Sequence, residues 1–505
     1  MSIFGIIFIF IILIYHILNI FQQEHYDFSK LLFTYKKLYC RKIYMYILYL
    51  MLILSLFNNT ITSLFILILG LLSLLFKPKY IIKLKFTGRI IRLIITTSII
   101  YTLILIFNYS NTLFICMVLL YPFVLYTINL INYPTEYLIN SYYIYKASKK
   151  LKRHKNIIKI AITGSYGKTT IKNILYKILS TKYICVATPK SYNTILGITK
   201  TINESLDNLT EILIVEMGAN HPNEISKMKK LIDPDISIIS EIGPQHMSTF
   251  KTIDKVFKTK LEIINFNKLD SITIVNNVNI YLKNLHIKDK TLYKVGVNQN
   301  KYICAQDITV TQNLTTFTIV DNLNKETHNI NSQLLGNHNI NNILISYLTS
   351  KLLNIDSDYI IQSIEELTPV NNRLCYRKMN NIHIYDDSYN SNKVGFINAI
   401  NVLKNTNTKK IIITPGIVDC GIEEEKINLE IADMINNSNI DDVYLIKNKV
   451  TKYYEKRLNK YQIFNNFVDA YNHLLSSYTL EEVSLLIEND LPDNYFERWY
   501  NENKT

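Results

Sequence analysis

The run Lys159-Ile160-Ala161-Ile162-Thr163-Gly164-Ser165-Tyr166-Gly167-Lys168-Thr169-Thr170 decides how this chain is read. A β-rich apolar segment breaks at glycine and resumes as an amphipathic helix with Ile171, Ile174, Leu175, Ile178 and Leu179 along one side. Such a turn aims backbone N–H groups and a helix N-terminus at one point in space, which suits phosphate. Lys168 adds a point charge there, and the hydroxyl of Thr169 or Thr170 can reach a phosphate-bound Mg²⁺. The general phosphate loop G-x-x-x-x-G-K-[ST] would want glycine where Ile162 stands. An ordinary strand-to-helix turn is therefore the alternative, and the rest of the chain must decide.

Working outward, 48% apolar and 19% charged residues in a 505-residue chain are high and low for a globular protein, and the cause is local. Residues 2 to 22, 43 to 60, 61 to 76, 91 to 108 and 112 to 132 each approach the roughly 20 apolar residues that cross a bilayer. Residues 1 to 150 carry 14 Lys or Arg against 3 Asp or Glu, so +11 of the total +14 lies there. The remainder is near neutral, which disfavours nucleic acid as a partner. The positive charge clusters in alternate loops: Lys30 to Lys42, Lys77 to Arg92, and Lys146 to Arg153. By the positive-inside rule this predicts five membrane spans in residues 1 to 133, an external N-terminus and a cytoplasmic remainder, hence a multi-pass cell-membrane protein. A signal peptide over residues 1 to 22 is disfavoured, because no basic n-region or small-residue cleavage site is present. The six cysteines are scattered without a C-x-x-C pair, as a reducing compartment allows.

Residues 134 to 156 are Tyr- and Lys-rich and read as a helical linker along the membrane surface. Beyond it, strand-like runs at 157 to 163, 211 to 216, 235 to 241 and 271 to 276 alternate with helical ones, the pattern of a mostly parallel sheet with ligands at the carboxyl ends of its strands. A second alternation, with strands at 381 to 386, 409 to 414, 442 to 446 and 482 to 487, predicts a second α/β domain from 371 to 505 after a first at 157 to 370. Glu216 ends an apolar strand just before Met217-Gly218, where a carboxylate can hold a hard cation. Capping the next turn is its other reading. His246 and Lys260, taken singly, are a loop histidine and a helix lysine.

Together and in order, these segments resemble the Mur ligases, most closely the MurF, D-alanyl-D-alanine-adding, type. The resemblance covers residues 134 to 495. It rests on the phosphate loop, Glu216-Met217-Gly218-Ala219-Asn220, the Gly243-to-His246 turn, Lys260-Leu261-Glu262-Ile263, Gly336-Asn337-His338-Asn339-Ile340-Asn341-Asn342, Arg373, and Asp386-Asp387-Ser388-Tyr389-Asn390-Ser391-Asn392. It implies a central P-loop ATPase domain and a C-terminal Rossmann-like domain, with ATP and Mg²⁺ as cofactors. Gly164, Ser165, Tyr166, Gly167, Lys168, Thr169 and Thr170 would hold the β- and γ-phosphates. Thr169 and Glu216 would hold one Mg²⁺, and His246 a second. Lys260 matches a lysine that can be carbamylated into a metal ligand. Asn339 and Asn342 would face the adenine, while Arg373 and Asp387 would close on the nucleotide from the C-terminal domain. Helix caps and a surface ion pair are the plain readings of these last four residues.

The implied reaction is ATP-dependent amide formation between a carboxylate donor, a wall precursor, and an amino acid or dipeptide acceptor in peptidoglycan synthesis, with other wall-synthesis proteins as possible partners. Three departures stand out. Apolar segments replace the small domain that holds the UDP end of the precursor; Val275-Asn276-Asn277 lacks the aspartate usual there; and Ile487-Glu488-Asn489-Asp490 stands where the MurF type has Lys-Gly-Ser. A capsule-type polyglutamate ligase and a non-catalytic scaffold for wall enzymes are the competing functions.

Overall fold

The computed structural model describes residues 2–24, 26–32, 83–107, 120–190, 192–266, 268, 270–288, 291–297, 302–370, 372–388, 392–418 and 420–488. The expected spans at 43 to 60 and 61 to 76, the first part of 112 to 132, and Cys40 and Cys116 lie outside them. The chain forms two compact units, Met1–Tyr142 and Tyr143–Thr505.

In the smaller unit, α1 (Ser2–Gln23), α2 (Gly88–Ile106) and the first part of α3 (Tyr121–Arg153) meet through Ile17, Phe21, Leu93, Tyr121, Leu125 and Ile128. The same helices bury polar groups against each other. Arg92 pairs with Glu136 at 2.6 Å, the Asn132 amide donates to Thr96 at 3.0 Å, and His16 and Asn19 are buried. Among the described residues, no helix is long and apolar enough to cross a membrane. This overturns two expectations, the transmembrane region at the head of the fold and the multi-pass membrane location. The reason is visible in α2 and α3, where arginines, threonines, asparagines and a glutamate recur within the apolar runs and satisfy one another.

The helix α3 continues through Pro134, across the boundary drawn between residues 133 and 134. Proline removes one N–H and strains one turn without necessarily ending a helix. The last turns of α3 bury Ala147 and Leu151 in the core of the larger unit, and Lys150 donates to the carbonyl of Asn203 at 3.1 Å. The segment expected as a helical linker is thus helical, and its last turns pack against the larger unit.

The larger unit holds three sheets. The first contains β1 (Ile158–Thr163), β2 (Cys185–Ala187), β3 (Ile212–Glu216), β4 (Ile236–Ile239), β5 (Ile272–Asn276) and β6 (Thr291–Val295), all parallel, in the order β2-β3-β1-β4-β5-β6. Such strands are covered on both faces, so they read as unbroken Ile and Val runs. On one face lie α4 (Lys168–Leu179) and, further along the chain, the helix Asn337–Leu352. The other face packs α5 (Ile195–Ser205), α6 (Glu224–Ile232), the single turn α7 (Met247–Phe250) and α8 (Ile253–Leu261).

A small antiparallel sheet follows, β7 (Ile303–Val310), β8 (Thr315–Asp321) and β9 (Glu326–Ser332). Then come α9 (Asn337–Leu352), α10 (Ser357–Glu365) and the third sheet. Its order is β10-β11-β15-β12-β13-β14, from β10 (Cys375–Met379), β11 (Ile382–Asp387), β12 (Lys409–Thr414), β13 (Asp442–Ile446), β14 (Gln462–Phe464) and β15 (Val483–Glu488), with only β10 antiparallel. Flanking helices include α11 (Lys393–Lys404) and α12 (Glu424–Asn436).

Candidate active site

In the first sheet β1 lies between β3 and β4, the point where the chain reverses its direction of travel across the sheet. Crevices at such points, outside the carboxyl ends of the strands, are where open α/β sheets bind ligands. The register pairs Ile162 with Glu216 and Thr163 with Ile239, so the loops after all three strands open side by side.

The loop Gly164 to Gly167 is pinned from the segment that follows β4. Ser165 donates its N–H to the Glu241 carbonyl at 2.6 Å and its hydroxyl to the Gly243 carbonyl at 2.9 Å, while the Tyr166 hydroxyl donates to Pro244 at 2.6 Å. Two glycines are required by geometry. Gly164 has φ 148°, and a Cβ on it would lie 2.1 Å from Ser240 Oγ; Gly167, at φ 80°, caps α4 and leaves only 2.8 Å between such a Cβ and Asn342 Oδ1. The ammonium of Lys168 curls over the loop and donates to the carbonyls of Gly164 (2.7 Å) and Ser165 (3.0 Å). Burial, with Arg373 adding repulsion, brings its pKa down to about 8, although Glu216 pulls the other way.

Glu216 is almost fully buried. Its Oε2 accepts from the Thr169 hydroxyl at 3.0 Å and from Lys172 Nζ at 3.1 Å, and its Oε1 from the Asn193 amide at 3.2 Å. Burial alone would raise its pKa, but the charges of Lys172 and Lys168 and these hydrogen bonds outweigh it and hold the carboxyl below its ordinary value. Beside it a cavity of about 530 Å³ is lined by Ser165 to Thr170, Glu216, Glu241, His246, Lys260, Asn339, Asn342, Arg373 and Asp387, among others. Every residue singled out in the sequence except Gly164 lines this one cavity, and Gly164 forms the floor of its loop.

Lys260 is 1% exposed on α8, and burial together with Lys168 brings its pKa to about 7; Glu224 and Glu262 oppose this. Both of these carboxylates are engaged by backbone amides, Glu224 by Asn220 and His221, Glu262 by Asn223 and Ser226. His246, at φ 52°, begins the single turn α7. From α9, Asn339 donates to the Leu335 carbonyl at 2.9 Å and accepts from the Asn342 amide at 3.3 Å. Asp387 ends β11, accepts from the Leu374 N–H at 3.0 Å and is pushed up to about 7 by burial, against that hydrogen bond and Arg373. Arg373 sits between Asn372 (φ 62°) and Leu374 (φ 47°), both left-handed. For a buried leucine that is a strained conformation, of order 1–3 kcal/mol.

Three residues were missed in the sequence. Lys172 looks like an exposed helix lysine but is 2% exposed; Asn193 lies in a loop without local signal; Glu241 lines the cavity with its pKa raised to about 7 by burial. Their signal is three-dimensional, since each stands beside the cavity through packing between strands rather than through spacing.

The donor set fits Mg²⁺ beside a nucleotide. Among the described residues no three His, Cys, Asp or Glu side chains gather into a metal cage. An ionised Glu216 and a threonine hydroxyl at a phosphate loop nevertheless suit a cation that keeps waters and takes its remaining ligands from phosphate oxygens.

Residues 162–350 match the model of the Mur ligase middle domain. That stretch is a Mur ligase middle domain. It carries the phosphate loop, Glu216, His246, Lys260 and the Asn339–Asn342 pair, whereas Arg373 and Asp387 lie beyond it. The UDP-N-acetylmuramoyl-tripeptide--D-alanyl-D-alanine ligase of Buchnera aphidicola subsp. Baizongia pistaciae is 29% identical over 304 residues, 60% of this chain and 65% of that protein. The Bacillus subtilis protein of the same name is 27% identical over 288 residues, 56% and 62% of the two chains. The chain thus spans a little under two thirds of the relatives it matches. MurF of Thermotoga maritima in complex with ADP superposes with a TM-score of 0.64 at 22% identity, covering 69% of this chain and 80% of that one. MurF of Acinetobacter baumannii gives 0.65 at 20%, covering 70% and 78%. At these identities the structures establish the fold, a Mur ligase-like α/β arrangement.

Proposed function

We propose that this protein is an ATP-dependent ligase that joins a carboxylate to the amine of an amino acid or dipeptide through an acyl phosphate, in the manner of D-alanyl-D-alanine addition to a UDP-linked tripeptide in peptidoglycan synthesis. The single observation carrying this reading is that Lys168, Thr169, Glu216, His246, Lys260, Asn342, Arg373 and Asp387, from two α/β sheets, line one cavity. The names of the relatives point the same way. In this reading residues 157–370 bind the nucleotide and residues 371–505 close over it.

Each group has a task that its environment supports. The loop amides and Lys168 bind the β- and γ-phosphates, and the ammonium exchanges its carbonyl partners for phosphate oxygens as ATP enters. Asn339 and Asn342 face the adenine, and Arg373 and Asp387 approach the nucleotide from the other side. Thr169 and Glu216 would hold Mg²⁺, with His246 at a second position, and the metal would supply charge neutralisation at the phosphates. A lysine with a pKa near 7 is substantially neutral at physiological pH, the form whose nitrogen can add CO₂, so Lys260 is suited to become a carbamate. The donor carboxylate attacks the γ-phosphorus, ADP departs, and the acceptor amine displaces phosphate from the acyl carbon. Positioning and electrostatics do most of the catalysis, and closure of the two halves keeps water from the acyl phosphate.

The test is ADP release and product mass with purified full-length protein, ATP, Mg²⁺, UDP-linked tripeptide and D-alanyl-D-alanine, alongside a panel of other wall precursors and amino acids including glutamate. ADP release that requires both donor and acceptor, with the ligated mass, supports the reading. No ligation with any pair refutes it, and product only with glutamate moves the chain to the polyglutamate ligases.

A further inference from the structure

Lys172, paired with the buried Glu216, has no task in the mechanism above. Both side chains are almost wholly enclosed, 3% and 2% exposed, and their charged atoms stand 3.1 Å apart. Lys172 lies one turn after Thr169 on α4 and also donates to the Lys190 carbonyl, so it is held from two sides. Its ammonium and the Thr169 hydroxyl bond the same carboxylate oxygen, Oε2. A carboxylate proposed to ligate a divalent cation is therefore already half neutralised by a fixed internal cation.

We propose that Lys172 is a positioning residue that sets the divalent-cation affinity of the site through Glu216. It holds the carboxylate through Oε2, leaving Oε1 with the Asn193 amide as its hydrogen-bond donor, without touching substrate. Its charge also opposes that of an incoming metal, so the empty protein binds the cation weakly and tight binding waits for the nucleotide phosphates. An enzyme built this way does not accumulate metal without nucleotide. Removing the ammonium while keeping the chain length reverses this: one carboxylate no longer shared between two cations binds the remaining one more tightly. The inference rests on the assignment of Glu216 as a metal ligand, so its test reads metal binding rather than ligation.

The probe is Mn²⁺, titrated into the full chain without nucleotide and followed by the paramagnetic resonance of free Mn²⁺. Lys172→Met is expected to bind Mn²⁺ about tenfold or more tightly than wild type, and Lys172→Arg, which keeps the charge, within about threefold of it. In a Glu216→Gln background, Lys172→Met should change nothing, because the effect acts through Glu216. If Lys172→Met does not fold, Lys172→Gln, whose amide can still donate to the Lys190 carbonyl, carries the same comparison. Mn²⁺ binding that is unchanged, weaker or undetectable in the uncharged variant overturns the proposal, as does a tightening that survives Glu216→Gln. Failure of ligation in wild type would refute the functional reading and leave this measurement standing.

Discussion

Replacing Lys168 by Met separates a catalytic lysine from a structural one, because the two roles predict opposite changes in stability. In the empty protein the ammonium is buried at a pKa of about 8 against an ordinary 10.5, a penalty of roughly 3 kcal/mol at pH 7. Its bonds to the Gly164 and Ser165 carbonyls return about 1 kcal/mol each. Lys168→Met, which keeps the apolar stem, should therefore leave the nucleotide-free protein about as stable as wild type or about 1 kcal/mol more stable. The sign can be checked against pH. The folded pKa lies below the unfolded one, so the penalty is fully present below pH 8 and fades as pH rises toward 10.5; the variant's advantage should shrink over the same window. Ligation should fall at least about 100-fold, some 2.7 kcal/mol of barrier, since a phosphate contact is lost in a water-poor site. Thermal unfolding without nucleotide and initial rates of ADP release measure the two effects. A variant that loses several degrees of Tm with its activity, or keeps more than about a tenth of it, would refute the reasoning.

Four further outcomes follow from the same geometry. Gly164→Ala places a methyl 2.1 Å from Ser240 Oγ at a left-handed φ, so it should cost more than about 2 kcal/mol in denaturant titrations and abolish ADP-induced stabilisation. Lys260, with its pKa near 7, should be modified by an amine-directed reagent at pH 7 faster than exposed lysines and be protected by Mg²⁺-ADP, as peptide mass mapping would read; a rate no faster than the surface lysines refutes the assignment. Glu241, raised to about 7, favours the folded state when protonated and loses that contribution as pH climbs through 7. Glu241→Gln should therefore gain stability over wild type at pH 8, with the gain fading toward pH 4.5, and equal melting temperatures at both pH values would contradict it. Asn342→Ala should weaken ATP binding by about tenfold in equilibrium titration while leaving the fold intact, and an unchanged Kd would remove it from the nucleotide site.

Much of the site was legible because phosphate chemistry is local. Gly164 to Thr170 needs only a strand, a turn and a helix in succession, and Glu216 is readable as a carboxylate where an apolar strand ends, whereas Asp387 came only from the family resemblance. Lys172 was not, because an (i, i+4) pattern on α4 cannot reveal that the face it occupies is covered by β3 and the Lys190 loop. The parallel strands announced themselves as solid Ile and Val runs. By contrast β7, with polar residues on one side and a register shift between Gln306 and Thr309, carries no such run. The N-terminal region misled for the complementary reason. Composition weighs each residue alone, whereas the Arg92–Glu136 pair and the Thr96–Asn132 contact turn apparent lipid-facing segments into helices that carry paired polar groups.

The left-handed Leu374 has a consequence for how the two halves of the larger unit hold together. It lies where the chain passes from the first half to the second, is buried with Leu335 and Tyr385, and is kept in its unfavourable twist by the Asp387 carboxylate that receives its N–H. The crossing is therefore a strained turn with its own catch, and the catch is a residue that lines the cavity. A ligand that drew the Asp387 carboxylate away would leave the Leu374 N–H without that acceptor, so occupancy of the cavity and the local backbone twist would be coupled through one hydrogen bond.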